Sequence, residues 1–121
     1  MKHILALVSL FFCLTSYSQK TTILYYDDGK IKEEGQLVND SKDGEWIGYY
    51  NNEHREYLGS YALGKKNGQW KTFHINSRLE SEGQYLYGQK FGKWSYYYHN
   101  GPVRYIENYS NGTQEGKATF F

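Results

Sequence analysis

A 24-residue period runs through most of the chain without an insertion or deletion, and it leaves few folds open. Gly44, Gly68, Gly92 and Gly116 form one column, two places before Trp46, Trp70, Trp94 and Ala118. Tyr25, Tyr49, Phe73, Tyr97 and Phe121 form a second, aromatic in every copy. Gly35, Gly59 and Gly83 form a third, interrupted by Glu107, and Leu37, Tyr61, Tyr85 and Tyr109 follow it two residues later. Asp28, Asn52, Asn76 and Asn100 fill a further column of turn-forming residues. Such spacing describes a stack of small, similar units, none large enough to bury its own apolar face.

Each unit reads as a β-hairpin. In the unit from Gly44 to Asn67, Trp46–Tyr50 is a short aromatic strand, Asn51–His54 a turn, and Arg55–Leu63 the return strand. Gly64–Gly68 then leads into the next copy. Asp27-Asp28-Gly29, Asp43-Gly44, Asn67-Gly68 and Asn100-Gly101 carry the Asn/Asp-Gly signal of tight turns. Asn52-Glu53 and Ile75-Asn76-Ser77 lack the glycine, which predicts looser turns there. Return strands alternate: Tyr57, Gly59 and Tyr61 fall on one face, Glu56, Leu58 and Ser60 on the other. That alternation suits an antiparallel sheet with one wet side. The mid-strand glycine lies between larger residues and reads as a slot where a ring rests on bare backbone. The expected fold is all-β, an elongated single-layer antiparallel sheet of consecutive hairpin repeats. Two strands per unit advance the ribbon by roughly 10 Å. The last copy, with Glu107 and Ala118 in place of glycine and tryptophan, suits a cap on an edge strand.

The first residues belong to a different category. Lys2 precedes the apolar run Ile4–Leu14, and Ser16-Tyr17-Ser18 supplies small residues at a cleavage position. This is the pattern of a secretory signal over residues 1–18, cut near Ser18, and the run is too short to span a bilayer. The repeat domain then covers residues 19–121, with a periplasmic or extracellular location. Cys13 is the only cysteine and lies in the leader, so the mature chain has no disulfide or thiolate chemistry. Phe12 before it argues against lipidation.

Composition narrows the partners. Beyond the leader, 13 Lys and Arg balance 13 Asp and Glu, so no basic field draws nucleic acid or anionic membrane. The same segment holds 20 aromatic residues against 13 Ile, Leu and Val, so the core is built from rings.

Three stretches carry a family resemblance: Tyr25–Leu37 (YYDDGKIKEEGQL), Leu79–Tyr85 (LESEGQY) and Gly88–Trp94 (GQKFGKW). They are similar to the MORN repeat, more closely to its bacterial variant, and the likeness spans nearly all of residues 19–121. The resemblance implies the hairpin ribbon and a scaffolding or lipid-associated role. It includes a group labelled YwqK-type antitoxins, which implies an inhibitor of a toxic partner. It implies no catalytic residue, since the repeat positions are architectural.

The residues themselves offer little chemistry. His54 and His99 occupy unrelated columns, while His74 stands where other copies have Tyr26, Tyr50 and Tyr98, a ring replacing a ring. No cysteine pair, His-x-x-x-His or Asp-rich loop supports a metal site, and no cofactor is expected. Glu56, Glu80 and Glu82 project from the outer face beside Lys32 and Arg104, a solvated surface without a cleft. The expected protein is therefore not an enzyme. What remains is recognition by rings. Trp46, Tyr50, Trp70, His74, Trp94, Tyr96 and Tyr98 are the candidate contact residues, forming either an exposed ladder or, if the sheet rolls, a core. The leading expectation is an exported scaffold that binds a protein or cell-surface component. A carbohydrate or lipid-headgroup module and an antitoxin-like inhibitor are the alternatives.

Overall fold

The computed structural model describes residues 18–121, so the expected signal segment over 1–18, with Cys13 and His3, lies outside the described residues but for Ser18. Those described form one antiparallel sheet of nine strands in sequence order. The strands are β1 (Gln19–Tyr25), β2 (Ile31–Val38), β3 (Ser41–Tyr49), β4 (Arg55–Ala62) and β5 (Lys65–Phe73). They continue with β6 (Leu79–Leu86), β7 (Gln89–Tyr97), β8 (Val103–Ser110) and β9 (Thr113–Phe120). Every strand pairs with its sequence neighbour. Among the described residues no helix is long and apolar enough to cross a membrane.

The turns are not all where glycine suggests. Val38 pairs with Ser41 and Ala62 with Lys65, leaving Asn39-Asp40 and Leu63-Gly64 as two-residue connections. Both central residues are left-handed, at φ 49° and 63° in the first and 51° and 76° in the second, the type I′ pattern. Asp43-Gly44 and Asn67-Gly68, expected as turns, lie inside β3 and β5. There Gly44 (φ 70°) and Gly68 (φ 95°) are absorbed as bulges. From Glu34↔Ile47 to Gln36↔Asp43, β2 advances by fewer residues than β3, and β4 against β5 does the same. The aromatic strand is accordingly longer than Trp46–Tyr50.

At the opposite edge, the turns without glycine are as tight as the others. Gly29 N, Glu53 N, Ser77 N and Gly101 N donate to Tyr26 O, Tyr50 O, His74 O and Tyr98 O, each at 2.9 Å. Glu53 and Ser77 take the left-handed conformation, φ 71° and 72°, despite their side chains. The column of turn acids and amides explains the closure. Asp28, Asn52 and Asn76 each accept from the backbone N–H two residues on, at 3.1 Å. In the fourth copy that residue is Pro102, which has no N–H.

Repeats are stitched along both edges. Gly64, Gly88 and Gly112 donate their N–H to Lys42 O, Lys66 O and Lys90 O, at 3.1, 2.7 and 3.2 Å. On the other edge Tyr26 and Tyr50 hydroxyls donate to Tyr49 O and Phe73 O at 2.6 Å. His74 Nε2 donates to Tyr97 O at 2.9 Å, so the imidazole does the phenol's task as the column suggests.

The core is one row of three indoles, Trp46, Trp70 and Trp94, exposed by 0 %, 3 % and 3 %. Each rests on a glycine of the preceding strand: a Cβ on Gly35, Gly59 or Gly83 would stand 2.3, 2.2 or 2.2 Å from the ring. The expected slot is present in all three copies. Each indole N–H also donates to a backbone carbonyl, of Gln36, Ser60 and Gln84, at 3.0, 3.0 and 3.1 Å.

Candidate functional site

The face that carries the tryptophans is an alternating ladder of rings. Trp46, Tyr61, Trp70, Tyr85 and Trp94 meet edge to face in that order, with centroids 6.4, 5.4, 5.8 and 5.0 Å apart. The tryptophans are thus core, not the exposed ladder that was one of two expectations. Indoles laid on bare backbone are covered by the tyrosines of the next strand.

A row of lysines lies on this ladder. Lys42 Nζ stands 4.4 Å from the Trp46 centroid and 5.1 Å from that of Tyr61. Lys66 repeats the arrangement over Trp70 and Tyr85 at the same distances. Lys90 stands 4.9 Å over Trp94 and 5.0 Å over Tyr109. Their satisfaction differs. Lys42 pairs with Glu33 at 2.8 Å, and Lys90 donates to the Tyr96 hydroxyl at 2.8 Å. Among the described residues Lys66 has neither a carboxylate nor a hydrogen-bond acceptor. Burial, and then the charges of Lys90 and Lys42, hold its pKa below the ordinary lysine value.

Next to this row the repeat breaks its own pattern. The columns that hold Gly48 and Tyr57 in one copy and Tyr96 and Tyr105 in another hold Thr72 and Ser81 between them. Tyr57 fills the space over Gly48 and stacks on Trp70, centroids 5.0 Å apart and planes 20° apart. Tyr96 and Tyr105 stack on each other at 4.3 Å and 16°. Thr72 and Ser81, hydroxyl to hydroxyl at 2.6 Å, leave a polar-floored gap between these two ring pairs. Ser81 is buried.

Of the three glutamates expected on the outer face, Glu56 and Glu80 turn toward this gap, while Glu82 stays away from it and accepts from the Tyr97 hydroxyl at 2.7 Å. Thr72 pairs with Ser81 but Phe73 pairs with Leu79, so Glu80 is an extra residue in a bulge. A strand with one extra residue loses strict alternation, and Thr72 Oγ1 reaches Glu80 Oε2 at 3.2 Å as well as Ser81. Glu56 is the extra residue of the preceding copy, and Lys32 and Arg104 hold the same column. The flat, cleft-free face is therefore corrected: Glu56 and Glu80 line a groove of about 310 Å³ with Tyr57, Lys66 and Tyr96. A second hollow of about 330 Å³ shares Thr72, Glu80, Ser81 and Tyr96 with it and extends to His74 and Arg104.

Of the sequence candidates, Tyr50 and Tyr96 are half-buried on the groove, and His74 lies in its extension. Burial, with Glu80 and Glu56 nearby, raises the Tyr50 pKa, and burial with Glu107 raises that of Tyr96. Tyr98 stands apart and exposed, 42 %, with the Arg104 guanidinium 5.7 Å from its ring. Trp70 and Trp94 back the groove and Trp46 does not. The sequence reading passed over Tyr57, Lys66, Thr72, Ser81 and Lys90. Their signal was a lysine column, 42, 66 and 90, and one copy with small hydroxyls where its neighbours carry rings. Among the described residues no group of three or more His, Cys, Asp and Glu is placed to hold a metal ion. Compared with known protein families and with curated proteins, the chain matches none.

Proposed function

We propose that this chain is an exported, non-catalytic repeat scaffold that binds a protein or cell-surface component on its ring-lined face. The observation that carries the reading is the gap at Thr72 and Ser81, the place where an otherwise regular ladder opens into a groove. Repeat proteins of this kind present an extended surface on a rigid frame, and a departure in one copy sets a recognition point on it. Tyr and Trp are residue types that recognition surfaces concentrate, and a few convergent polar groups among them fix a ligand's orientation. The likeness to bacterial MORN-type repeats supports a scaffold without a catalytic centre, and the Lys2–Ser18 pattern supports export.

A second reading, a saccharide module, is favoured by the mixture of hydroxyl, carboxylate and ammonium groups in one small groove. Capture from the exported fraction tests the first reading. Tyr96→Ala on the ring face is expected to abolish retention, whereas Lys71→Glu on the opposite face is expected to leave it intact. Retention lost only with Lys71→Glu, or a mature protein that keeps residues 1–18 in the cytoplasm, overturns the proposal.

A further inference from the structure

We infer that the groove at Thr72 and Ser81 is a subsite for a single pyranose ring carrying a carboxylate, a uronic-acid residue, with Lys66 as its anion partner. The inference rests on the reading of this face as a binding surface and names the chemistry it recognises.

Three observations converge. The first is size: about 310 Å³ is at the small end of ligand pockets, which run from roughly 300 to 1,000 Å³, and suits one sugar-sized ring rather than a protein side. The second is the distribution of polar groups. Thr72 and Ser81 hydroxyls and the Glu80 carboxylate lie together on the floor, within 3.2 Å of one another along the chain Ser81–Thr72–Glu80. A ring of vicinal hydroxyls needs such a set, since each hydroxyl both donates and accepts, and the carboxylates of Glu80 and Glu56 take donors only. The rings of Tyr57 and Tyr96 wall the gap and offer apolar surface to the ring carbons.

The third is the cation. Lys42 and Lys90 are satisfied inside the protein, by Glu33 and by Tyr96. Lys66, between them, is half-buried on Trp70 and Tyr85 and has no such partner among the described residues. An ammonium withdrawn from water without an anion is left with hydrogen-bonding capacity that a ligand carboxylate completes. Glu56 and Glu80 share the groove, and they oppose an anion placed beside them. On β5 Lys66 and Thr72 lie on either side of Trp70, which sets the ligand's direction: carboxylate toward Lys66, ring hydroxyls toward Thr72 and the two glutamates. Strand addition is not the mode here, because the strands around the groove are paired on both sides.

The test uses the full mature chain, labelled with nitrogen-15, titrated with methyl β-glucuronide and, separately, with methyl β-glucoside. Three indole N–H signals report position. Trp70 and Trp94 line the groove and Lys66 lies on Trp70, so occupancy shifts those two signals, while Trp46, outside the groove and covered by Lys42 and Glu33, stays fixed as an internal control. The glucuronide is expected to bind at least tenfold more tightly than the glucoside. Lys66→Met is expected to abolish that preference. Thr72→Gly with Ser81→Tyr, which copies the Gly48–Tyr57 pair into the gap, is expected to abolish binding of both sugars while three dispersed indole signals show that the fold persists.

Equal binding of the two sugars, absence of any shift at millimolar sugar, or equal shifts of all three indoles overturns the assignment. The same Gly–Tyr filling variant separates the two levels of the argument. If it still removes capture of the exported partner although the glucuronide never binds, the uronate subsite is wrong and the binding face stands. If capture is untouched by the filling, the face itself is wrong.

Discussion

The indole of Trp70 lies against the backbone of Gly59, so closely that a Cβ at residue 59 would stand 2.2 Å from Trp70 Cε2. The two are direct cross-strand partners, Gly59↔Trp70, so the contact is built into the register. Where the tryptophan column ends in Ala118, the glycine column holds Glu107, whose carboxylate accepts from the Tyr109 hydroxyl at 2.5 Å. Both members of the pair are exchanged together.

Substitution of Gly59 by alanine or valine therefore forces the indole off its seat. Overpacking of this kind costs typically about 1–3 kcal/mol, and melting is expected to fall by several degrees, more for valine. Gly44→Ala is the contrast. Nothing lies within 4 Å of a Cβ there, and only the φ of +70° opposes it, so the loss is expected to be smaller. Roughly 1–2 kcal/mol is the scale for a left-handed side chain. Thermal unfolding of the variants checks the order.

The paired exchange at Glu107 and Ala118 should be reversible. Glu107→Gly together with Ala118→Trp is expected to install a fourth slot and stabilise the protein. Ala118→Trp alone, with a side chain still at 107, is expected to destabilise it. A double-mutant cycle in urea is expected to give a favourable coupling of about 0.5–3 kcal/mol between the two sites.

Ser77→Gly and Glu53→Gly should stabilise the turns they occupy. Both residues hold φ values of 72° and 71° in a closed turn, a conformation glycine adopts without steric cost. The steric relief of roughly 1–2 kcal/mol is partly offset by the glycine's greater freedom when unfolded, about 0.5–1 kcal/mol. A small rise in melting temperature is expected, and Asn76→Ala is expected to lower it through loss of the Arg78 N–H bond.

Alkaline pH should unfold this protein progressively. Burial first, then the Glu33 hydrogen bond, raises the Tyr57 phenol, and the Glu107 hydrogen bond leads in pushing Tyr109 to about 12. Tyr96 moves in the same direction. A phenol whose folded pKa exceeds its unfolded value of about 10 contributes stability that is complete below pH ~10 and lost as pH climbs through the folded value. Lys66, shifted downward, works the other way, and the stability it costs at neutral pH is recovered as pH rises to its unfolded value of 10.5. Glu33 contributes to the acid limb. Burial would raise it, but Lys42 and Tyr57 bonds hold it below its ordinary value, so its contribution is lost as pH falls below about 4.5. Tyr57→Phe is expected to flatten the decline between pH 9 and 12, read from urea unfolding at each pH.

Removal of Glu45–Gly68, one full period, should leave a shorter folded protein, because equivalent residues meet at the junction. Removal of half that length shifts the glycine row against the tryptophan row and is expected to give an unfolded chain by circular dichroism.

Much of this architecture can be read directly from the residues. Glycine and tryptophan recur at one spacing, and since strand pairing between neighbours is local, a constant period leaves one way to stack them. The glycine slot follows from the same columns, as does His74 in a tyrosine's place. The turns at Asp27–Gly29, Asn51–His54 and Asn100-Gly101 follow too, but those of the other edge and the groove do not. Asp43-Gly44 and Asn67-Gly68 have the composition of turns, yet the hairpins already close at Asn39-Asp40 and Leu63-Gly64, so each glycine becomes a bulge. Which of two adjacent turn-like segments reverses the chain depends on the hydrogen-bond register with another strand, which no local pattern encodes. The same holds for Glu56 and Glu80. Alternation puts them on the outer face, but one extra residue in the ladder breaks the parity and brings them to the rings, where Lys66, Thr72 and Ser81 meet them only once the strands are side by side.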